Sequence, residues 1–226
     1  MSRSVRRGIF FNLDNTLANS AGAMRGAFDR FAVICGIAPS DDVFTQIAGS
    51  SVPMAVAALK RLWALPYTLD EVQRRYVPLI DAAFLEMAPA AGAAATLEAA
   101  FRNGWSVGVV TAVAGARSRA WLARTRLAAY VDIVVGGDDV VIGKPGPEPY
   151  RIALTRSGCA RELSIAVEDS PVGATSALAA SMRCYGVAPE SAAAAEWPDG
   201  VRLIERLDEL LPELERQRAR RMAGRR

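Results

Sequence analysis

The chain has 226 residues, of which 51% are hydrophobic and 23% charged, and it contains no histidine. That length suits one large domain or a domain carrying an insert, with enough core to need no disulfide or metal staple. Without histidine, Ser-His-Asp and Cys-His mechanisms and His-ligated zinc or haem are excluded. Any catalysis must run on carboxylates, Lys, Ser/Thr, Cys or a metal held by oxygen.

The net charge is +3, but it is unevenly distributed. Residues 216–226 hold six arginines and no acid, which leaves the preceding body at −3. No aromatic or Gly-rich binding pattern accompanies this tail. It therefore reads as the soluble end of a helix, and no nucleic-acid partner is expected. Cys35, Cys159 and Cys184 are scattered, odd in number and in apolar neighbourhoods. They fit a reducing, cytoplasmic setting and read as small buried hydrophobes. Asn12 and Asp14 interrupt the first apolar run too early for a signal-peptide core, and no stretch is long enough to span a bilayer.

In chain order, Gly8 to Leu13 reads as a short buried strand ending in polar residues. Ser20 to Gly36 reads as a helix, Ser51 with Pro53 opens a second, and Thr68-Leu69-Asp70-Glu71 is a capping box opening a third. Pro78 argues for a kink or break in that third helix. The alanine-rich stretch Ala90–Ala100 reads as a packed helix. Strands are expected at Trp105–Thr111, Asp132–Val135, Ser164–Val167 and Arg183–Val187, with helical patterns between them. Short apolar strands alternating with helices predict a parallel sheet covered on both faces. A strand–helix–strand unit needs roughly 30 residues. The interval from Asp14 to Thr111 is far longer, so residues 19–88 read as an inserted helical domain. Residues 1–18 and 89–226 form the Rossmann-like α/β core.

In an open parallel sheet, ligands bind beyond the carboxyl ends of the strands. There the chain places Asn12, Asp14 and Thr16, then Thr111, then Lys144 in Gly143-Lys144-Pro145, then Glu168, Asp169 and Ser170. Acids can hold Mg²⁺, while lysine, threonine and backbone N–H groups can hold phosphate oxygens. This is an inventory for phosphoryl transfer. Gly137 to Lys144 imitates a P-loop, but five residues separate its glycines and Pro145 replaces the required Ser/Thr.

The segments FFNLDNTLANS, VGVVTAVAG, DDVVIGKPGPEPY and AVEDSPVGATSA together resemble the haloacid dehalogenase superfamily. The resemblance is to subfamily I, of the phosphoglycolate phosphatase and β-phosphoglucomutase type, and it covers the whole chain. It implies a Mg²⁺-dependent phosphohydrolase with a helical cap over its site. Asp14 would be the general acid/base and would offer its backbone carbonyl to the metal. Thr111 would hydrogen-bond the phosphoryl group and Lys144 would neutralise it. Asp169, with Glu168 beside or behind it, would ligate Mg²⁺, and Ser170 and Gly173 would shape that loop. Thr16 and Ala112 would lie beside the substrate. Cap contacts would come from Gly49 and Ser50, with Arg25, Lys60 and Arg61 as further anion contacts to consider. The partner would be a small phosphorylated metabolite, and the protein a monomer or homodimer.

Asn12 departs from the pattern. The superfamily places its nucleophilic aspartate at that position, and an amide is too weak a nucleophile to form an aspartyl-phosphate. Mg²⁺ also loses an anionic ligand, although the amide oxygen could still coordinate. The change is either engineered to trap a substrate, natural in a non-catalytic binder, or natural with Asp14 activating water directly. A phosphosugar mutase, a phosphonate-cleaving enzyme using Lys60 and a dehalogenase are the other activities the superfamily suggests. The last fits Thr111, Lys144 and the Glu168-Asp169 pair least well.

Overall fold

The computed structural model describes residues 5–188 and 196–215, so the arginine-rich tail lies outside the described residues. Its elements in chain order are β1 (Gly8–Phe11), α1 (Ala21–Ile34), α2 (Asp41–Ile47), α3 (Val52–Leu62), α4 (Leu69–Glu86), α5 (Ala93–Arg102), β2 (Ser106–Val110), α6 (Gly115–Arg124), β3 (Ile133–Val135), α7 (Glu148–Ser157), β4 (Ile165–Glu168), α8 (Pro171–Ala179), β5 (Arg183–Val187) and β6 (Val201–Ile204). The chain divides into two compact units, residues 1–18 with 89–226, and residues 19–88.

The first unit is built on a six-stranded sheet of order β3-β2-β1-β4-β5-β6, parallel throughout. β1, β2 and β4 are buried along their whole length, as strands covered on both faces must be. On one face Phe10, Val110 and Ala166 pack with Tyr150 and Ala153 of α7 and Ala174 and Ala177 of α8. The Phe10 ring needs room beside its register partner on β2. A Cβ at Gly108 would lie 2.6 Å from that ring, so glycine is required there. The sixth strand, β6, was not expected. It is a four-residue edge strand with Arg202 and Leu203 exposed, which leaves little apolar signal to read.

The second unit is helical. Phe28, Phe31, Trp63 and Tyr76 form its aromatic centre, with ring centroids 5.3 Å apart for Phe28–Trp63 and 5.0 Å for Phe31–Tyr76. Contacts of this kind add about 0.5–1.5 kcal/mol per pair beyond burial. α4 begins with the expected capping box, Thr68 accepting from Glu71 N and Glu71 accepting from Thr68 N. It then runs unbroken through Pro78 to Glu86, so of the expected kink or break there is no break. Pro78 is exposed, and the buried stripe of Val72, Tyr76, Ile80, Ala83 and Phe84 keeps the helix on its packing partner α1. Packing outweighs the lost hydrogen bond. α2 was not expected as a helix, although Ser40 caps it and Asp41 and Asp42 open its first turn.

No helix among the described residues is long and apolar enough to cross a membrane. All three cysteines are free. Only Cys184 is fully buried, and burial pushes its thiol up to about 12. Cys35 and Cys159 are half-buried, short of the burial their neighbourhoods suggested.

Candidate active site

β2, β1 and β4 are neighbours in the sheet, so their carboxyl ends deliver Thr111, Asn12 and Glu168 to one edge. Asn12 extends the β1–β4 ladder by one residue, its N–H donating to the Val167 carbonyl at 2.8 Å. The chain then turns tightly. The Leu13 carbonyl accepts from Thr16, Leu17 and Ala18, and Asn15 adopts a left-handed φ of 53°. The turn leaves Asp14 half-buried and buries Thr16, whose hydroxyl has no protein partner.

Asn12 is 7% exposed and fully engaged. Lys144 Nζ lies 3.0 Å from Oδ1, while Nδ2 lies 2.8 Å from both the Asp14 carbonyl oxygen and Asp169 Oδ1. The orientation of the amide follows from chemistry. An ammonium can only donate, so the atom facing Lys144 must be the oxygen. The NH₂ group is therefore turned to two acceptors. Asn15 Nδ2 lies 3.5 Å from the other oxygen of Asp169.

Lys144 is equally committed. Besides Asn12, it donates to the Val110 carbonyl at 3.0 Å and pairs with Glu168 Oε1 at 2.5 Å. Three partners use its three protons. The Tyr150 hydroxyl donates to the same Glu168 oxygen, and the tyrosine ring lies 5.7 Å from the lysine nitrogen. Burial, together with that carboxylate, raises the Tyr150 hydroxyl well above its usual 10. The loop carrying Lys144 is fixed by Ser176 Oγ, which donates to the Gly146 carbonyl at 2.6 Å.

Glu168 is wholly buried, with one carboxylate oxygen taken up by Lys144 and Tyr150. β4 ends at Glu168, and Asp169 opens the loop that leads into α8. Glu168 turns to Lys144 and Tyr150, with its second oxygen packed against Gly173. Asp169 turns to Asn12. A Cβ on Gly173 would lie 2.0 Å from Glu168 Oε2, which explains the glycine in the first turn of α8. Ser170 caps that helix, accepting from Gly173 N at 3.2 Å. Burial pushes the Asp169 carboxyl up to about 7. The Glu168 and Asp14 charges add to this, while Lys144 and the Asn15 amide oppose it.

Thr111 is 4% exposed, and its Oγ accepts from Val113 N at 3.1 Å, leaving its own proton to donate. Ala112 follows it, pressed so closely against Gly137 that a Cβ there would lie 2.2 Å from the Ala112 carbonyl oxygen. Asp138, accepting from Gly115 N at 2.7 Å, ties the two loops together.

Mg²⁺ requires oxygen ligands in near-octahedral array. The Asp14 carbonyl and Asp169 are of that type, but Asn12 presents N–H groups to both. Among the described residues no group of three or more His, Cys, Asp or Glu is arranged to hold a metal ion. The set as it stands does not fit Mg²⁺.

Gly49 and Ser50 lie in the helical unit, between α2 and α3. In the same unit Arg25 is paired with Asp29 at 2.7 Å and with Asp41. Lys60 donates to the Leu65 and Tyr67 carbonyls at 3.1 and 2.6 Å, closing the end of α3. Tyr150 is the participant that sequence reasoning missed. Its only signal is an aromatic residue six positions after Lys144, on a helix start the pattern does not single out.

Comparison with known proteins places the chain in a family. The family model for haloacid dehalogenase-like hydrolases matches residues 9–187. Phosphoglycolate phosphatase of Salmonella paratyphi A is 30% identical, covering 92% of each chain. Validoxylamine A 7'-phosphate phosphatase of Streptomyces hygroscopicus is 32% identical, over 78% of this chain and 83% of that one. CbbY from Rhodobacter sphaeroides, solved in complex with phosphate, superposes with a TM-score of 0.79 at 24% identity, over 93% of this chain and 99% of that one. β-Phosphoglucomutase from Clostridium difficile gives 0.78 at 15% identity, over 97% and 100%. The chain belongs to the haloacid dehalogenase-like hydrolase family.

Proposed function

We propose that this chain is a phosphohydrolase scaffold for a small phosphomonoester. With Asn12 at the nucleophile position, it binds such esters and turns them over slowly or not at all. The observation that carries this reading is the Asn12 amide, a neutral group held between Lys144 and Asp169 where the chemistry needs an anionic oxygen. The phosphatase names of the relatives support the reaction class and make phosphoglycolate the first ester to test.

In the Asn12→Asp chain, the new carboxylate attacks phosphorus and the ester P–O bond breaks. Asp14 gives its proton to the leaving oxygen. It then takes one from the water that frees phosphate and restores the carboxylate. Lys144 neutralises the phosphoryl oxygens, and the Thr111 hydroxyl donates to one of them. The Mg²⁺ that the resemblance implies finds its full set of oxygens only in that variant. We assign residues 19–88 the role of cap, with Gly49 and Ser50 on its substrate side and Thr16 and Ala112 beside the reacting group in the core.

A second reading, a phosphometabolite-binding protein without turnover, draws on the same amide. Phosphate release from a panel of small phosphomonoesters, with the chain and its Asn12→Asp variant side by side, separates the two. Turnover in the variant alone supports the first. No turnover in either, with binding retained, supports the second.

A further inference from the structure

The hydrogen bonds of Asn12 bear on more than the missing nucleophile. The amide presents one face to Lys144 and the other to two oxygens of the core, the Asp14 carbonyl and Asp169 Oδ1, each at 2.8 Å. A carboxylate at this position would give Lys144 one oxygen and leave its second facing those two. Three oxygens around one point, two of them on carboxylates, would then repel unless a cation lay between them. The amide removes that need, because its two N–H groups bridge the same pair of acceptors.

We propose that the Asn12 NH₂ group does the cross-linking work of a cation in this chain. The site is assembled without divalent metal and resists taking one up. For a metal to enter, the amide must rotate. Rotation would turn N–H toward the Lys144 ammonium, and that ammonium has no lone pair to accept it. Lys144 cannot move aside readily, because Glu168 and the Val110 carbonyl hold its other protons. A fixed donor on one side of the amide thus faces two fixed acceptors on the other, and only one orientation satisfies both sides. The inference rests on the reading of this edge as the site, though not on whether the variant is active.

The test is direct metal binding. Mn²⁺ affinity is measured by electron paramagnetic resonance on the intact chain and on Asn12→Asp, alongside melting temperature in excess Mg²⁺ and in EDTA. The chain as it stands should melt at the same temperature in both conditions. The variant should melt lower in EDTA, recover in Mg²⁺, and bind Mn²⁺ tighter by at least about 10- to 100-fold, the range that even outer-shell partners of a metal command. In ¹⁵N-labelled chain, the Asn12 side-chain NH₂ signals should exchange slowly and should not shift when Mg²⁺ is added. That measurement keeps the inference testable if the variant folds poorly. Equal Mn²⁺ affinity in the two chains, or NH₂ signals that shift with Mg²⁺, overturns it. A variant that binds Mn²⁺ tightly yet releases no phosphate leaves this inference standing and overturns the phosphatase reading instead.

Discussion

A largely buried lysine is tolerated only when its charge is answered, and Lys144, its side chain 12% exposed, is answered by the wholly buried Glu168. Removing one partner of such a pair strands the other. Lys144→Met should therefore cost about 3–5 kcal/mol in urea denaturation, and should also abolish phosphate binding. Tyr150→Phe takes one hydrogen bond from the same carboxylate and should cost about 1–3 kcal/mol. Gly173→Ala forces a methyl group onto Glu168 Oε2 and should cost about 1–3 kcal/mol through displacement of that side chain. At this scale the sequence was informative about which residues meet and less so about which way they face. Asn12, Asp14, Thr111 and Asp169 follow strand ends, where topology gathers them, and Lys144 reaches them from the loop before α7. The contact of Tyr150 with Glu168 depends on how α7 packs, and no local pattern encodes that.

Among the elements, α4 shows propensity yielding to packing. Pro78 is exposed on a helix whose other face is buried, so Pro78→Ala should raise the stability of the helical unit by up to about 3 kcal/mol, read as a higher melting temperature. Failure to gain stability would mean that the helix is already bent to suit proline. The strands of the sheet interior were legible because they are continuous apolar runs. β6 was not, because an edge strand is half-exposed and carries Arg202. α2 left a readable trace in Ser40-Asp41-Asp42, but seven residues are too few to show a period. Near β3, Asp139 accepts from Gly136 N and pairs with Arg156, and these bonds hold its carboxyl below the ordinary 3.8. A depressed carboxylate stabilises the fold above its unfolded pKa and loses that contribution as pH falls through the folded one. Asp139→Asn should therefore lower the melting temperature at pH 7, and the difference should shrink toward zero in acid.

For the molecule as a whole, the insert leaves and rejoins the core at adjacent points. Asn19 N donates to the Ala88 carbonyl at 3.0 Å within the helical unit, and Ala90 N donates to the Leu17 carbonyl at 2.8 Å within the core. Each unit thus closes its own ends. Replacing residues 19–88 with a short Gly-Ser linker should leave a core that folds cooperatively by circular dichroism. The proposed function turns on one atom at one strand end, where the Asn12 amide nitrogen would stand in place of an anionic oxygen. The most direct measurement is intact mass after acid quench of the chain and of Asn12→Asp, each mixed with a phosphomonoester that the variant hydrolyses. The account predicts one added phosphoryl group on the variant and none on the chain. A phosphoryl group on the chain with Asn12 in place, or hydrolysis by the variant with no phosphorylated species at any time point, would contradict it.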